Sequence, residues 1–516
     1  MPLFEITLVL LAIAVVLLQV ARHMRVPYPA MLALVGGCVA ALPFAPHLSI
    51  EPRLALALFV APAVMDTAFD MPPREMLRNW LPLTSLAVVL VLLTTAAVAW
   101  AGWALAGLPL AAAVALGAIV APPDAAAAAA VLREFNLPRR MMAVLQGESL
   151  LNDAVALLAF GLAVSAAVSP GDEWNVLLPR LGLAVPGGAL LGVVSAALIM
   201  RVAHKLAGTL SSIIVQFLVT FGTWILAERL SLSPIVAVVA LAAVAARYMP
   251  ARTSARDRIN SYAVWATVVF VLNVLAFLLM GLQARVILAQ LPPEELKHAL
   301  VFAGIVLGVV IGVRFLWVMT YGAVVRFLQS HFAPRALGAP VPPARIGVLV
   351  SWCGMRGLVT LATAFSLPPE FPGRNVIVLS AFTVVLGTLI VQGFTIRPLI
   401  ALLRIAPDQS LDLEVAEARR AMLDAALEEL AGYSGEAADA MRGEYGAARA
   451  ASSSDLMRPV TKYDDLRMLA ISAERRLLVE WRQRGRIFDD TYHLLEDELD
   501  RAELQAASLG ATSLEG

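Results

Sequence analysis

Runs of about 20 almost uninterrupted apolar residues recur along this 516-residue chain, and they constrain its fold more than any other feature. A segment of about that length crosses a bilayer as a helix, because lipid offers its backbone groups no outside partner. Thirteen such runs are expected to span, at about 3–21, 28–44, 54–70, 80–103, 109–132, 140–168, 175–203, 209–228, 233–248, 262–283, 298–325, 346–367 and 375–402. Hydrophobic residues make up 60% of the chain and charged residues 15%, against roughly 45–50% and 25% in a soluble domain. The mean hydropathy is +0.79. These values exclude an ordinary cytosolic enzyme, a disordered chain and a nucleic-acid binder with a basic surface. The first run carries no cleavage pattern and ends in Arg22 and Arg25, so it is expected to be a retained membrane helix rather than a signal peptide. Cys38 and Cys353 both lie in apolar runs and predict neither a disulfide framework nor a metal site.

The loops between the runs give the expected orientation. Cytoplasmic loops collect Lys and Arg. The loops after the odd-numbered runs hold 16 basic residues, among them Arg74, Arg139, Arg140, Arg201 and Arg247. The opposite loops hold six: Arg53, Arg180, Arg229, Arg285, Lys297 and Arg374. An outside N-terminus and a cytoplasmic C-terminus fit that bias, in a plasma (inner) membrane. The formal net charge is zero, from 39 basic and 39 acidic residues. Of these, 23 acids but only 13 bases lie from Asp408 onward. The transmembrane domain is therefore assigned to 1–403 and an acidic, cytoplasmic helical tail to 408–516, with amphipathic helices over 410–432 and 463–505 and a hinge at 451–455.

Ionisable residues inside a span are costly, about 2.5–3.5 kcal/mol at the bilayer centre on insertion scales, and usually face a cavity where they act. The fifth run contains Pro122-Pro123-Asp124. Two consecutive prolines remove two backbone donors and unwind a helix, leaving carbonyls and Asp124 at the break. The sixth run carries Glu148, Ser149, Asn152 and Asp153; Glu148 and Asn152 share one helical face, Ser149 and Asp153 the next. A carboxyl placed like Asp153 must be paired, hydrated or protonated, so it is a candidate to exchange a proton. Asp66 lies in the third run, and Asp70 is expected to cap its end. Arg314 and Arg356 lie in the eleventh and twelfth runs. A buried arginine stays charged and needs a carboxylate or backbone carbonyls. Glu148 is the expected partner of Arg314, and all three are read as structural support for the site.

Two interruptions are paired across the chain: the break at Pro122 and Pro123, and a weakening of the twelfth run by Gly354 and Gly357 around Arg356. Interrupted helices at corresponding positions of two halves point to a transporter site on an inverted repeat. Opposed half-helix ends would then call for Asp124 and Arg356 to balance their dipoles.

The stretch GAIVAPPDAAAAAAVLREFNLPRRMMAVLQGESLLNDAVALLAF resembles the fifth and sixth helices of the monovalent cation:proton antiporter-1 family, the NhaP-type bacterial antiporters and sodium/hydrogen exchangers. GESLLND is complete, from Gly147 to Asp153. FLLMGLQ (277–283), the segment from Arg314 to Trp317, GMRGLVTLATAFSLP and the tail stretch WRQRGRIFDDTYHLLEDELD are also similar to family segments. The resemblance implies an all-α polytopic fold of the NhaP type, with inverted repeats and broken helices, in a homodimer. It implies that Asp153 and Asp124 bind the ion, with Na⁺ between them, that Asn152 partners Asp153, and that Ser149 and Asp66 line the site. It also implies a buried pair of Glu148 with Arg314. Two departures bear on the identity and affinity of the ion: PPDA replaces the usual Thr/Ser-Asp-Pro, and Asp66 stands where Glu is usual.

The expected function is antiport of a monovalent cation, Na⁺ first and K⁺ or Li⁺ as alternatives, against H⁺. Asp153 takes a cation or a proton, and each excludes the other. Asn152 cannot titrate, so exchange is expected to be electroneutral, one for one. The rivals are a cation channel and a transport-inactive sensor that signals through the tail. Catalysis is not expected: the chain has six histidines and shows no metal-ligand cluster or nucleophile–base pair in a span. No cofactor and no nucleic-acid partner are expected.

Overall fold

The computed structural model describes residues 3–502, apart from 25, 42–50, 72, 133–134, 136, 169–173, 204–208, 210, 250–254, 332–342, 406–407, 409, 452–461, 485, 487–494 and 497. The described chain is all-α and divides into two compact units, Met1–Pro407 and Asp408–Gly516. The first unit begins with α1 (Leu3–Met24), α2 (Tyr28–Ala40) and α3 (Ala61–Phe69). It continues with α4 (Leu90–Ala106), α5 (Leu110–Val120), α6 (Ala125–Leu132) and α7 (Arg139–Val168). Next come α8 (Trp174–Ala203), α9 (Ser211–Arg229), α10 (Pro234–Tyr248) and α11 (Ala255–Leu282). The unit closes with α12 (Pro293–His331), α13 (Ala344–Trp352), α14 (Leu358–Phe365) and α15 (Arg374–Leu403).

Seven helices among the described residues are long and apolar enough to cross a membrane unaided: Trp80–Ala106, Arg139–Val168, Gly182–Arg201, Ser211–Arg229, Asp257–Leu288, Pro293–His331 and Arg374–Leu403. Four shorter apolar helices, Leu8–Met24, Tyr28–Ala40, Leu110–Val120 and Pro234–Tyr248, carry four of the other six runs. The chain is thus a multi-pass membrane protein. Two apolar runs are interrupted, as α5/α6 and as α13/α14, which leaves residues 121–124 and 353–357 outside the helices. Two others contain a wide π turn, Leu56–Val60 ahead of α3 and Ser85–Val89 ahead of α4. Such turns loosen a helix locally and cluster near functional sites. Asp70 is the C-cap of α3, its N–H donating to the Asp66 carbonyl at 3.2 Å.

The main core gathers α5, α13 and α15 with α2 and α12; Leu116, Ile119, Leu349, Met355, Val385 and Leu389 are buried in it. A second cluster joins α3, α7, α9 and α10 through Val64, Leu150, Trp224 and Val238, with Leu358 at the start of α14 packed against it. Helices α2 and α11 meet backbone to backbone: a Cβ on Gly36 would lie 3.1 Å from the Gly281 Cα. Close approach through small residues is how membrane helices pack when lipid offers no hydrophobic drive.

The second unit holds α16 (Ser410–Leu430), α17 (Glu436–Ala451) and α18 (Lys462–Gln483). An ion pair between Arg449 and Asp424, at 2.5 Å, ties α17 to α16. Residues 452–455 of the expected hinge, and residues 487–494 within the expected helix 463–505, lie outside the described residues.

Candidate functional site

The site forms where the two interrupted helices meet. Pro122 and Pro123 cannot donate, so α5 ends at Val120 and the chain restarts as α6 at Ala125. The backbone N–H of Asp124 then leaves its own helix and donates to the carbonyl of Met355 in the other break, at 2.7 Å. That bond locks one break to the other.

Helix ends expose unsatisfied carbonyls at the C-terminus and N–H groups at the N-terminus, with partial charges to match. The buried arginines answer the first need. Arg356, 1% exposed, donates from Nε to the carbonyl of Val120 at 3.1 Å and from Nη2 to that of Ala121 at 3.2 Å. Its Nη1 bonds the Gly354 carbonyl. Its backbone N–H donates to Thr388 Oγ1 on α15, at 3.0 Å. Arg314, on α12, is fully buried. Its Nη1 and Nη2 hold the two oxygens of Glu148, the second at 2.9 Å. The same guanidinium reaches the Val350 carbonyl in the last turn of α13, from Nε at 3.3 Å and Nη2 at 3.1 Å. Each C-terminal end at the crossing therefore faces an arginine.

Asp124 answers the second need. Gly357 stands directly before α14, and a Cβ placed on it would overlap the Asp124 carboxylate. The carboxylate thus lies against the N-terminal end of α14. Gly354 is equally confined, since a Cβ there would meet the Arg314 and Arg356 side chains.

Helix α7 brings in the remaining groups. Glu148, Asn152 and Asp153 are buried, Asp153 to 6% exposure. Asn152 Nδ2 donates to the Pro123 carbonyl at 3.3 Å, so α7 is pinned to the first break. Asn152 Oδ1 is buried with no hydrogen-bond partner. Asp153 and Asp124 are close enough for their charges to repel. Buried amide oxygens are normally satisfied; one left over at the crossing is an acceptor open to a small cation stripped of water.

The structure thus brings together Pro122, Pro123, Asp124, Glu148, Asn152, Asp153, Arg314, Gly354, Arg356 and Gly357. Ser149 is half-buried on α7. Asp66 is half-buried on α3, which packs against α7. Sequence reasoning did not anticipate Thr388, which holds the second break through Arg356 N–H. A buried hydroxyl in the middle of an apolar run is the one signal it leaves.

Three comparisons bear on this site. The pattern that defines the transmembrane sodium/hydrogen exchangers matches residues 8–402. An uncharacterized Na⁺/H⁺ exchanger of Mycobacterium tuberculosis is 32% identical over 442 residues, 82% of this chain and 79% of the relative. A sodium, potassium, lithium and rubidium/H⁺ antiporter of Bacillus pumilus is 31% identical over 452 residues, 83% of this chain and 66% of that protein. Among solved structures, the sodium proton antiporter of Methanocaldococcus jannaschii at pH 8 superposes with a TM-score of 0.61 at 15% identity. That superposition covers 78% of this chain and 98% of the antiporter, and it carries the fold.

Proposed function

The chain belongs to the sodium/hydrogen exchanger family, and we propose that it exchanges Na⁺ for H⁺ one for one, with Asp153 as the shared site. Cation/proton antiport is the activity of that family. The finer reading rests above all on the buried Asn152–Asp153 pair at the crossing, whose amide oxygen has no protein partner. A cation between Asp153 and Asp124 would take that oxygen as a further ligand and relieve the repulsion of the two carboxylates. A proton on Asp153 does the same electrostatic work without the ion. Each occupant removes the charge that attracts the other, so the two compete for one site.

The charge count supports one-for-one exchange. Asp124, Glu148 and Asp153 against Arg314 and Arg356 leave one net negative charge at the crossing. One monovalent cation or one proton neutralises it, and a neutral site crosses a low-dielectric layer at far lower cost than a charged one. The neutral, loaded crossing then faces each side in turn by movement against the surrounding helices. Pro122, Pro123, Gly354 and Gly357 shape the breaks, Glu148, Arg314 and Arg356 brace them, and Ser149 supplies a further oxygen toward the ion. The protein works as a homodimer in the plasma membrane, with its N-terminus outside and its tail in the cytoplasm; the 16-to-6 bias of basic residues supports that orientation.

Proteoliposomes test this reading. Cation-driven proton flux is measured across Na⁺, K⁺, Li⁺ and Rb⁺ for wild type and Asp153→Asn. The wild type is expected to exchange, Na⁺ most readily. The variant, which keeps the shape and loses the titratable group, is expected to insert normally and lose all exchange. Robust exchange by a well-inserted variant overturns the role of Asp153.

A further inference from the structure

Gln392, on α15, belongs to none of the groups above. It is 0% exposed, and neither its amide nitrogen nor its amide oxygen has a hydrogen-bond partner. An amide offers two donors and two acceptor sites, and leaving it unmet in a core is costly. Leucine or methionine would fill the same place without that cost.

Its direction on the helix is informative. Successive residues of an α-helix turn by about 100°. Gln392 therefore lies about 40° around α15 from Thr388, and Gly393 about 140° around. Thr388 faces the second break, where Oγ1 accepts from Arg356 N–H. Gly393 faces the start of α2 and the same break: a Cβ on it would lie 3.4 Å from Ala30 Cβ, 3.7 Å from Pro27 Cγ and 3.8 Å from Met355 Sδ. Gln392 points between these two directions, toward the junction of the 353–357 break with the first turn of α2. Both sides of that junction are backbone at a helix end or outside a helix. The break lies outside any helix, and α2 starts after Pro27, which makes no side-chain cap.

We propose that Gln392 is a positioning residue of the exchange cycle. Its amide is unmet in the arrangement seen here and takes backbone groups of the break or of the first turn of α2 when the crossing shifts against α2. The unmet amide raises the free energy of the present arrangement and so keeps the two arrangements close enough in energy to interconvert. This inference rests on the antiport reading above.

Gln392→Leu and Gln392→Met test it, each by thermal stability in detergent and by exchange in proteoliposomes. Both variants are expected to melt at or above the wild-type temperature. Both are expected to lose tenfold or more of the maximal exchange rate, with the KM for the cation within twofold of wild type. A purely structural amide predicts a different pattern, in which melting temperature and rate fall together, and that result overturns the proposal. So does an unchanged rate in either variant. A wild-type protein that melts normally and exchanges nothing fails the antiport reading first and this inference with it. An active wild type with normal variants fails this inference alone.

Discussion

Glu148 and Arg314 neutralise each other on two fully buried side chains, and Arg314 also closes the end of α13 at Val350. Removing either partner leaves a buried charge alone, which costs on the order of 3–5 kcal/mol. Glu148→Gln and Arg314→Ala are each expected to lower melting temperature and yield sharply while changing cation affinity little in the protein that survives. Their double-mutant cycle should show strong coupling; additive losses in thermal melts would mean that the pair is not a unit. That Arg314 would find Glu148 was legible, because a charged arginine inside a span needs a carboxylate and the sixth run offered one on the right face. The reach to Val350 was not, since which carbonyl a helix end leaves open depends on how α12 and α13 pack. Asn152 divides the same way. Its place beside Asp153 is sequence, but its bond to the Pro123 carbonyl and its unpartnered oxygen belong to the fold.

At the scale of elements, the two breaks differ in how openly the sequence declares them. Pro122-Pro123 leaves a helix no choice, and the interruption could be read residue by residue. The second break depends on Gly354 and Gly357, whose reason is spatial: their missing side chains make room for Arg314, Arg356 and the Asp124 carboxylate. Gly357 adopts an extended φ of −136° that any residue accepts, so its constraint is contact and not backbone freedom. Gly357→Ala is therefore expected to push the Asp124 carboxylate from the start of α14 and to cut exchange by at least tenfold in proteoliposomes, with normal insertion. Activity close to wild type would show that Asp124 can move away without consequence. The π turns at Leu56–Val60 and Ser85–Val89 left no mark on hydropathy. Only the structure shows Trp317 Nε1 donating to the carbonyl and hydroxyl of Ser85, at 3.2 and 3.1 Å, at the second of them. Thr388 and Gln392 were hidden for a similar reason: a single polar residue hardly alters the mean of a long apolar run.

For the whole molecule, the chain forms two compact units, Met1–Pro407 and Asp408–Gly516, the first apolar and the second acidic. What the whole molecule must solve is moving charge through lipid. A transmembrane potential acts on net charge at about 2.3 kcal/mol per elementary charge per 100 mV. If the crossing travels with Asp124, Glu148, Asp153, Arg314 and Arg356 and one bound cation or proton, it is neutral in both directions and the potential does no work on it. An exchanger with a second titrating carboxylate in place of Asn152 would carry one charge more on the proton limb and would respond to voltage. Asn152 has no proton to give, so exchange here is expected to ignore an imposed potential. In proteoliposomes clamped with valinomycin and a K⁺ gradient, Na⁺-driven proton flux should keep the same rate at 0 and −100 mV, and the potential alone should move no protons. A flux that rises with voltage would mean that a second charge crosses with the ion, and Asp66 on α3 would be the carboxylate to neutralise next.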